Sequence, residues 1–199
     1  MSLEVDLLRH GDTGAVGFRG RGDDALTALG WQQMREAVAA AGPWALIVSS
    51  PLRRCAAFAR ELASERGLPC EIEPCLAELD FGAWEGKTHE QLLLSDATAL
   101  RAFWQNPWQH PPTDGESLPA FAARVFGAVD GLARQRPGQK ALIVAHGGVL
   151  RLLCALAQGL TLDRIGELAL PHGALLRLAI EPTETRSPKV WARRKEARN

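Results

Sequence analysis

Three stretches of this chain set imidazole or guanidinium groups directly after a short apolar run: Arg9-His10-Gly11, Ser49-Ser50-Pro51-Leu52-Arg53-Arg54 and His146-Gly147-Gly148. A guanidinium offers a fixed fork of donors that matches a phosphate, and an imidazole offers a nucleophilic nitrogen. Side by side, the two suit a phosphate ester. Any one of the three stretches, taken singly, reads equally well as a solvated strand end or a helix start in water. Their weight comes from where the preceding apolar runs must put them.

Those runs are short and β-branched or leucine-rich, as buried strands are. The first spans Leu3 to Leu8, the second Ala45-Leu46-Ile47-Val48, and the third Ala141-Leu142-Ile143-Val144-Ala145. A helix is expected after each. The first covers roughly 28–41, with Thr27 as its N-cap and Gly42-Pro43 as its stop. The second runs to about Arg66, before Gly67 and Pro69, and the third covers Val149–Ala157. A short strand is expected near Glu71-Ile72-Glu73, a helix from Leu118 to about Arg134, a core strand at Leu175–Ile180 and a further one near Val190. Alternating strands and helices predict an α/β fold: a three-layer α/β/α sandwich, mainly parallel, with helices on both faces. Parallel strands put all three polar ends on one edge of the sheet, where ligands bind and helix N-termini favour anions. Two imidazoles and two guanidiniums then converge.

The rest of the composition narrows the setting. The chain has 199 residues, 46% hydrophobic, enough for one sizeable core and too apolar for general disorder. Lys plus Arg and Asp plus Glu are 23 each, so no global field points to nucleic acid or an acidic membrane. Cys55, Cys70, Cys75 and Cys154 form no CxxC pair, and Glu4, Asp6 and Arg9 interrupt the first apolar run. A reducing cytoplasm is expected, with no membrane span. No domain boundary is visible, so residues 1–199 read as one domain. Within it the Trp- and Pro-rich stretch at about 88–117, with helical turns expected around His89–Leu94 and Ala97–Trp104, reads as a lid or substrate segment. His172, between Pro171 and Gly173, either borders the pocket or ends a turn, the turn being the favoured reading, and the basic tail from Arg186 to Asn199 reads as a solvated end.

Taken in order, six stretches resemble the histidine phosphatase superfamily, with its phosphoglycerate-mutase-like fold. They are Leu8-Arg9-His10-Gly11-Asp12-Thr13; Gly20-Arg21 through Leu26-Thr27 and Gly30; Ser49 through Arg54; Glu78 with Phe81 through Gly86; Gly115-Glu116-Ser117; and His146-Gly147-Gly148. The resemblance implies that His10 is the nucleophile, that Arg9, Arg54 and His146 clamp the phosphoryl oxygens with Thr13 and Gly147 beside them, and that Glu78 is the general acid. The Gly11 carbonyl would fix the tautomer of His10. Asp80 and Glu85 are rivals for the acid by proximity, and the chain has no tyrosine for a phenolic one. Two positions depart from the common pattern: Cys55, Ala56, Ala57 and Phe58 follow Arg54 where Gln-Thr is frequent, and Val16 stands where many relatives carry Asn.

Mutases of this family typically carry a longer insertion between the Glu78 region and Gly115-Glu116-Ser117, so a phosphatase is expected. Leu7 through Thr13, Asp23 through Thr27 and Phe103-Trp104-Gln105-Asn106-Pro107 look most like the α-ribazole-5′-phosphate phosphatases of that family. That implies a phosphomonoesterase acting in cobalamin nucleotide-loop assembly. Trp84, Trp104 and Trp108 are candidates to stack on a flat base, and Arg21 and Ser117 to touch substrate. The alternatives are a phosphoglycerate mutase, a broad-specificity sugar-phosphate phosphatase, and a binding protein that keeps the pocket without turnover. A metal-dependent hydrolase would need clustered ligands, which His89 and His110 lack in sequence. The expected partner is a small phosphate ester, without cofactor or metal; oligomeric state is not legible.

Overall fold

Period-two alternation decides which face of the sheet each apolar residue feeds. In the computed structural model, which describes residues 1–161, 168–183 and 189–192, the first run is strand β1 (Leu3–Arg9). There follow α1 (Ala28–Val38), β2 (Leu46–Ser49), α2 (Arg53–Arg66), β3 (Cys70–Ile72) and two 3-10 turns, Pro74–Leu76 and Gly82–Trp84. The chain continues with α3 (His89–Ser95), α4 (Ala97–Gln105), α5 (Leu118–Gln135), β4 (Lys140–Ala145), α6 (Gly147–Gln158), β5 (Leu175–Glu181) and β6 (Lys189–Ala192).

The six strands form one sheet in the order β3-β2-β4-β1-β5-β6. β1 to β4 pair in parallel, whereas β5 runs antiparallel to β1 and β6 antiparallel to β5. The sheet is therefore mainly parallel, with an antiparallel edge. Leu3, Val5, Leu7 and Ile143 pack against Phe121 and Val125 of α5 and Leu150 and Leu153 of α6. Leu8, Ile47 and Val144 face the other way, onto Met34 of α1 and Phe58 and Leu62 of α2. Three layers result, as the alternation of elements requires. Full burial of a side chain such as Phe58 or Phe121 contributes about 1.5–3 kcal/mol.

Several boundaries differ from the sequence reading. α1 stops at Val38, because the N–H groups of Ala39 and Ala41 turn back three residues, to Glu36 and Val38. α6 starts at Gly147, with His146 in extended conformation as its N-cap, so both glycines lie inside its first turn. Within 88–117 both expected helical turns are present and each extends by one residue, α3 behind a Thr88–Gln91 capping box and then α4. Trp84, Leu92, Leu100 and Phe103 form a small core of their own beneath them. The further strand expected near Val190 is present: residues 189–192, within the tail otherwise expected to be solvated, pair with β5 and cover the sheet edge it would otherwise leave open. Arg193, Arg194, Lys195 and Arg198 lie outside the described residues. No helix among the described residues is long and apolar enough to cross a membrane.

Candidate active site

Strand β1 delivers Arg9 and His10 to the sheet edge, and the backbone leaves through a tight crossing with the start of α1. A Cβ on Gly11 would lie 2.0 Å from the Gly30 carbonyl oxygen, and one on Gly30 would lie 2.1 Å from that of Asp12. Only paired glycines allow this approach. Thr27 caps α1 by accepting from Gly30 N at 3.0 Å, and its hydroxyl donates to Asp12 at 2.7 Å, which ties the turn to the helix. His10 Nδ1 donates to the Gly11 carbonyl at 2.8 Å. That bond fixes the tautomer and leaves the lone pair on Nε2. Burial, with Arg54, Arg9 and His172 acting the same way, brings His10 down from 6.5 to about 3. The ring is a neutral nucleophile at physiological pH.

His146 follows β4 and caps α6. It is fully buried, its ring centroid 5.3 Å from that of His10. Its Nε2 is hydrogen-bonded to Ser50 Oγ at 2.6 Å, and Cys55 Sγ packs 3.6 Å from the same nitrogen. Burial first, then Arg54, holds His146 well below the usual histidine range. Cys55, one of the departures from the family pattern, is thus a packing neighbour of this imidazole, and burial pushes its thiol up.

Arg54 opens α2 and is also buried. Its Nη1 donates to Gly22 O at 2.6 Å and its Nη2 to Gly20 O at 2.8 Å, leaving Nε without a protein partner. Arg9 has the same form: Nη1 donates to Leu170 O, and the buried Nε is unpartnered. The expected free two-pronged grip is therefore modified. Much of each fork anchors a loop, which fixes the guanidinium and reserves its remaining N–H groups for an anion.

Glu78 lies between the two 3-10 turns, 8% exposed. Its Oε1 accepts from Leu79 N at 3.0 Å and its Oε2 from Gly148 N at 2.9 Å. A Cβ on Gly148 would stand 2.3 Å from Oε1, so this glycine is the space the carboxylate occupies. Arg124 of α5 holds the segment from behind. It donates to the carbonyls of Cys75, Ala77 and Glu78 and forms a two-pronged pair with Glu116. The rivals are engaged elsewhere. Glu85 accepts from the backbone N–H groups of Gly20, Arg21, Gly22 and Phe81, which knots the glycine-rich loop, and Asp80 accepts from Gly82 N.

Arg9, His10, Thr13, Arg54, Glu78 and Gly147 line a cleft of about 650 Å³, whereas the fully buried His146, expected to clamp the phosphoryl oxygens, is not among its lining residues. Its far wall is aromatic, with Phe18, Phe81, Phe103 and Trp104, and Arg19, Arg151 and His172 also face it. Four guanidiniums against one carboxylate make it a site for an anion. Of the candidates for substrate contact, only Trp104 lines the cleft. Trp84 is fully buried in the small core and donates to Asp96; Trp108 lies outside the lining residues. Ser117 caps α5, accepting from Ala120 N, and Arg21 is exposed, 3.9 Å from Glu116. His89 and His110 are exposed. Sequence reasoning missed Arg124 and Arg151, and for His172 it favoured a plain turn over the pocket border. That last residue does sit in a turn, and the turn faces the cleft.

Comparison with known proteins matches residues 5–192 to the model of the histidine phosphatase superfamily, branch 1. An adenosylcobalamin/alpha-ribazole phosphatase of Escherichia coli (strain K12) is 35% identical over 177 residues, covering 86% of this chain and 87% of that protein. The crystal structure of an alpha-ribazole phosphatase from Shigella flexneri superposes with a TM-score of 0.75 at 31% identity, covering 95% of each chain. A mycobacterial glucosyl-3-phosphoglycerate phosphatase in complex with VO3 gives a TM-score of 0.81 at 28% identity, covering 98% of this chain and 99% of that one.

Proposed function

The chain belongs to the histidine phosphatase superfamily, and from that membership we propose that it hydrolyses α-ribazole 5′-phosphate through a phosphohistidine formed on His10. It is a phosphatase. In the proposed first step, the Nε2 lone pair of His10 attacks phosphorus and the bond to the ester oxygen breaks. Arg9 and Arg54, with Thr13 and the Gly147 end of α6, take up the charge on the phosphoryl oxygens, and His146 supports the ring beside them. Phosphoryl transfer of this kind depends on positioning and charge stabilisation. Glu78 delivers a proton to the leaving alkoxide. Its carboxylate then takes a proton from water as that water attacks the phosphohistidine, releasing inorganic phosphate and restoring His10. General acid–base assistance of this sort contributes ~10²–10⁴ in rate.

One observation carries the reading: a neutral imidazole with a free Nε2 stands within a ring contact of a second imidazole, in a cleft lined by guanidiniums and Glu78. The substrate rests on the relatives and on the aromatic wall. Phe18 and Trp104, with centroids 6.4 Å apart, offer a shelf for a flat base, and α4 brings Phe103 and Trp104 to the cleft from the 88–117 segment. The reading takes residues 1–199 as one catalytic unit acting in the cytoplasm, in cobalamin nucleotide-loop assembly, on a small phosphate ester without a cofactor. Likeness to the glucosyl-3-phosphoglycerate phosphatase favours a second reading, a phosphatase of sugar-acid esters. Phosphate release across α-ribazole 5′-phosphate, phosphoglycerates, sugar phosphates and nucleotides separates the two. The highest kcat/KM is expected on α-ribazole 5′-phosphate; equal or higher values on unrelated esters contradict that substrate.

A further inference from the structure

We propose that His172 is a further phosphoryl-binding residue of this cleft, donating an imidazole N–H to an oxygen of the phosphoryl group held at His10; the proposal rests on the phosphohistidine reading above. Because β5 runs antiparallel to β1, its first residues lie beside the last residues of β1, with Leu8 opposite Leu175. The turn before β5 is therefore carried to the nucleophile's edge of the sheet. Hydrogen bonds from Arg9 N to Ala174 O at 2.9 Å and from Gly173 N to His10 O at 3.3 Å lock the two backbones together on both sides of that turn. Gly173, at φ +73, seats the turn against α1, where a Cβ would meet the Gln33 carbonyl oxygen at 3.0 Å.

His172 is thereby held with its ring centroid 5.4 Å from that of His10, almost the same separation as His146. The two flanking imidazoles differ in what they are bonded to. His146 is fully buried and bonded to Ser50, whereas His172 is half-buried, lines the cleft and makes no hydrogen bond to any described residue. The oxygens of a phosphoryl group on His10 Nε2 stand out from the edge of that ring, and a flanking N–H reaches such an oxygen over an ordinary hydrogen-bond distance of about 2.7–3.2 Å. Burial and Arg9 hold His172 below 6.5, with Asp12 acting in the opposite sense. It is a neutral donor, able to stand beside Arg9 without adding a like charge.

The test measures inhibition by orthovanadate and by inorganic phosphate in the full chain. The variants are His172→Leu, which keeps bulk without a donor, and His172→Asn and His172→Gln, whose amides reach toward the two ring-nitrogen positions. Loss of one hydrogen bond to a charged group corresponds to about 10–100-fold. The expected result is weakening of both inhibitors by that factor in His172→Leu, recovery of most of it by the better amide variant, and an unchanged unfolding midpoint. Unchanged inhibition in His172→Leu overturns the proposal, as does equal weakening in all three variants, which marks a packing role. If the unsubstituted chain neither binds vanadate nor forms phosphohistidine, the phosphatase mechanism itself fails and the role of His172 with it.

Discussion

Glu78 and His10 divide the reaction between them, and each leaves a separate signature. Replacing Glu78 by Gln removes the proton donor and keeps an acceptor for one of the two N–H groups, Leu79 N and Gly148 N, that its carboxylate oxygens serve. Its kcat on an alkyl phosphate is expected to fall by about 10²–10⁴. A p-nitrophenyl ester, whose leaving group needs no proton, should still give a burst of nitrophenol; absence of the burst would place Glu78 in nucleophilic attack instead. Gly148→Ala tests the same carboxylate from the other side. The new methyl would stand 2.3 Å from Oε1, the movable end of a side chain, so kcat should drop more than stability does. For His10, burial fixes the neutral form down to about pH 3. Its ring resonances in the free protein, followed by NMR, should show no titration between pH 7 and 5. A midpoint near 6.5 would mean a solvated ring and a different site.

Among the elements, the join between α5 and the 75–78 segment is where packing becomes catalysis. Arg124 ties the two together, bonding the carbonyls of Cys75, Ala77 and Glu78 and the Glu116 carboxylate from a partly buried position. Arg124→Met should destabilise the fold by about 2–3 kcal/mol, since it removes the donor to three carbonyls and the two-pronged partner of Glu116, and should lower kcat by letting Glu78 drift. Chemical denaturation and steady-state kinetics on the same variant check both; full kcat in a destabilised variant would uncouple the two. Gly30→Ala, whose methyl would meet backbone at 2.1 Å, should cost about 1–3 kcal/mol. What could be read beforehand follows the same lines. Arg9 ends a buried strand, His10 and His146 come directly after one, and Arg54 opens the helix that follows another, so alternation and parallel pairing bring all four to one edge. Glu78 sits in irregular chain held by Arg124, and only family resemblance singled it out. His172 could not be decided between pocket border and turn because the direction of β5 has no local signal, and Trp84 was misplaced because its burial depends on how α3 and α4 pack.

At the scale of the whole molecule, the site has a stability consequence. His10 binds a proton near pH 6.5 when unfolded and near 3 when folded, so between those values the unfolded chain holds more protons and stability rises with pH. Acidification from pH 7 to 5 should remove about 2 kcal/mol through His10 alone, with His146 and His172 acting in the same direction. Urea unfolding at the two pH values, compared with His10→Asn, isolates this contribution; an equal pH dependence in the variant would refute it. The core that carries this cost was legible as a three-layer sandwich, whereas β6 was legible only as a short apolar interruption in a basic tail. The central claim concerns one nitrogen. Quenching the reaction on a ³²P-labelled phosphate ester and mapping the acid-labile, base-stable label tests it most directly. The account predicts label on the peptide containing His10, absent in His10→Asn together with turnover; turnover without label on His10, or turnover retained in His10→Asn, would contradict it.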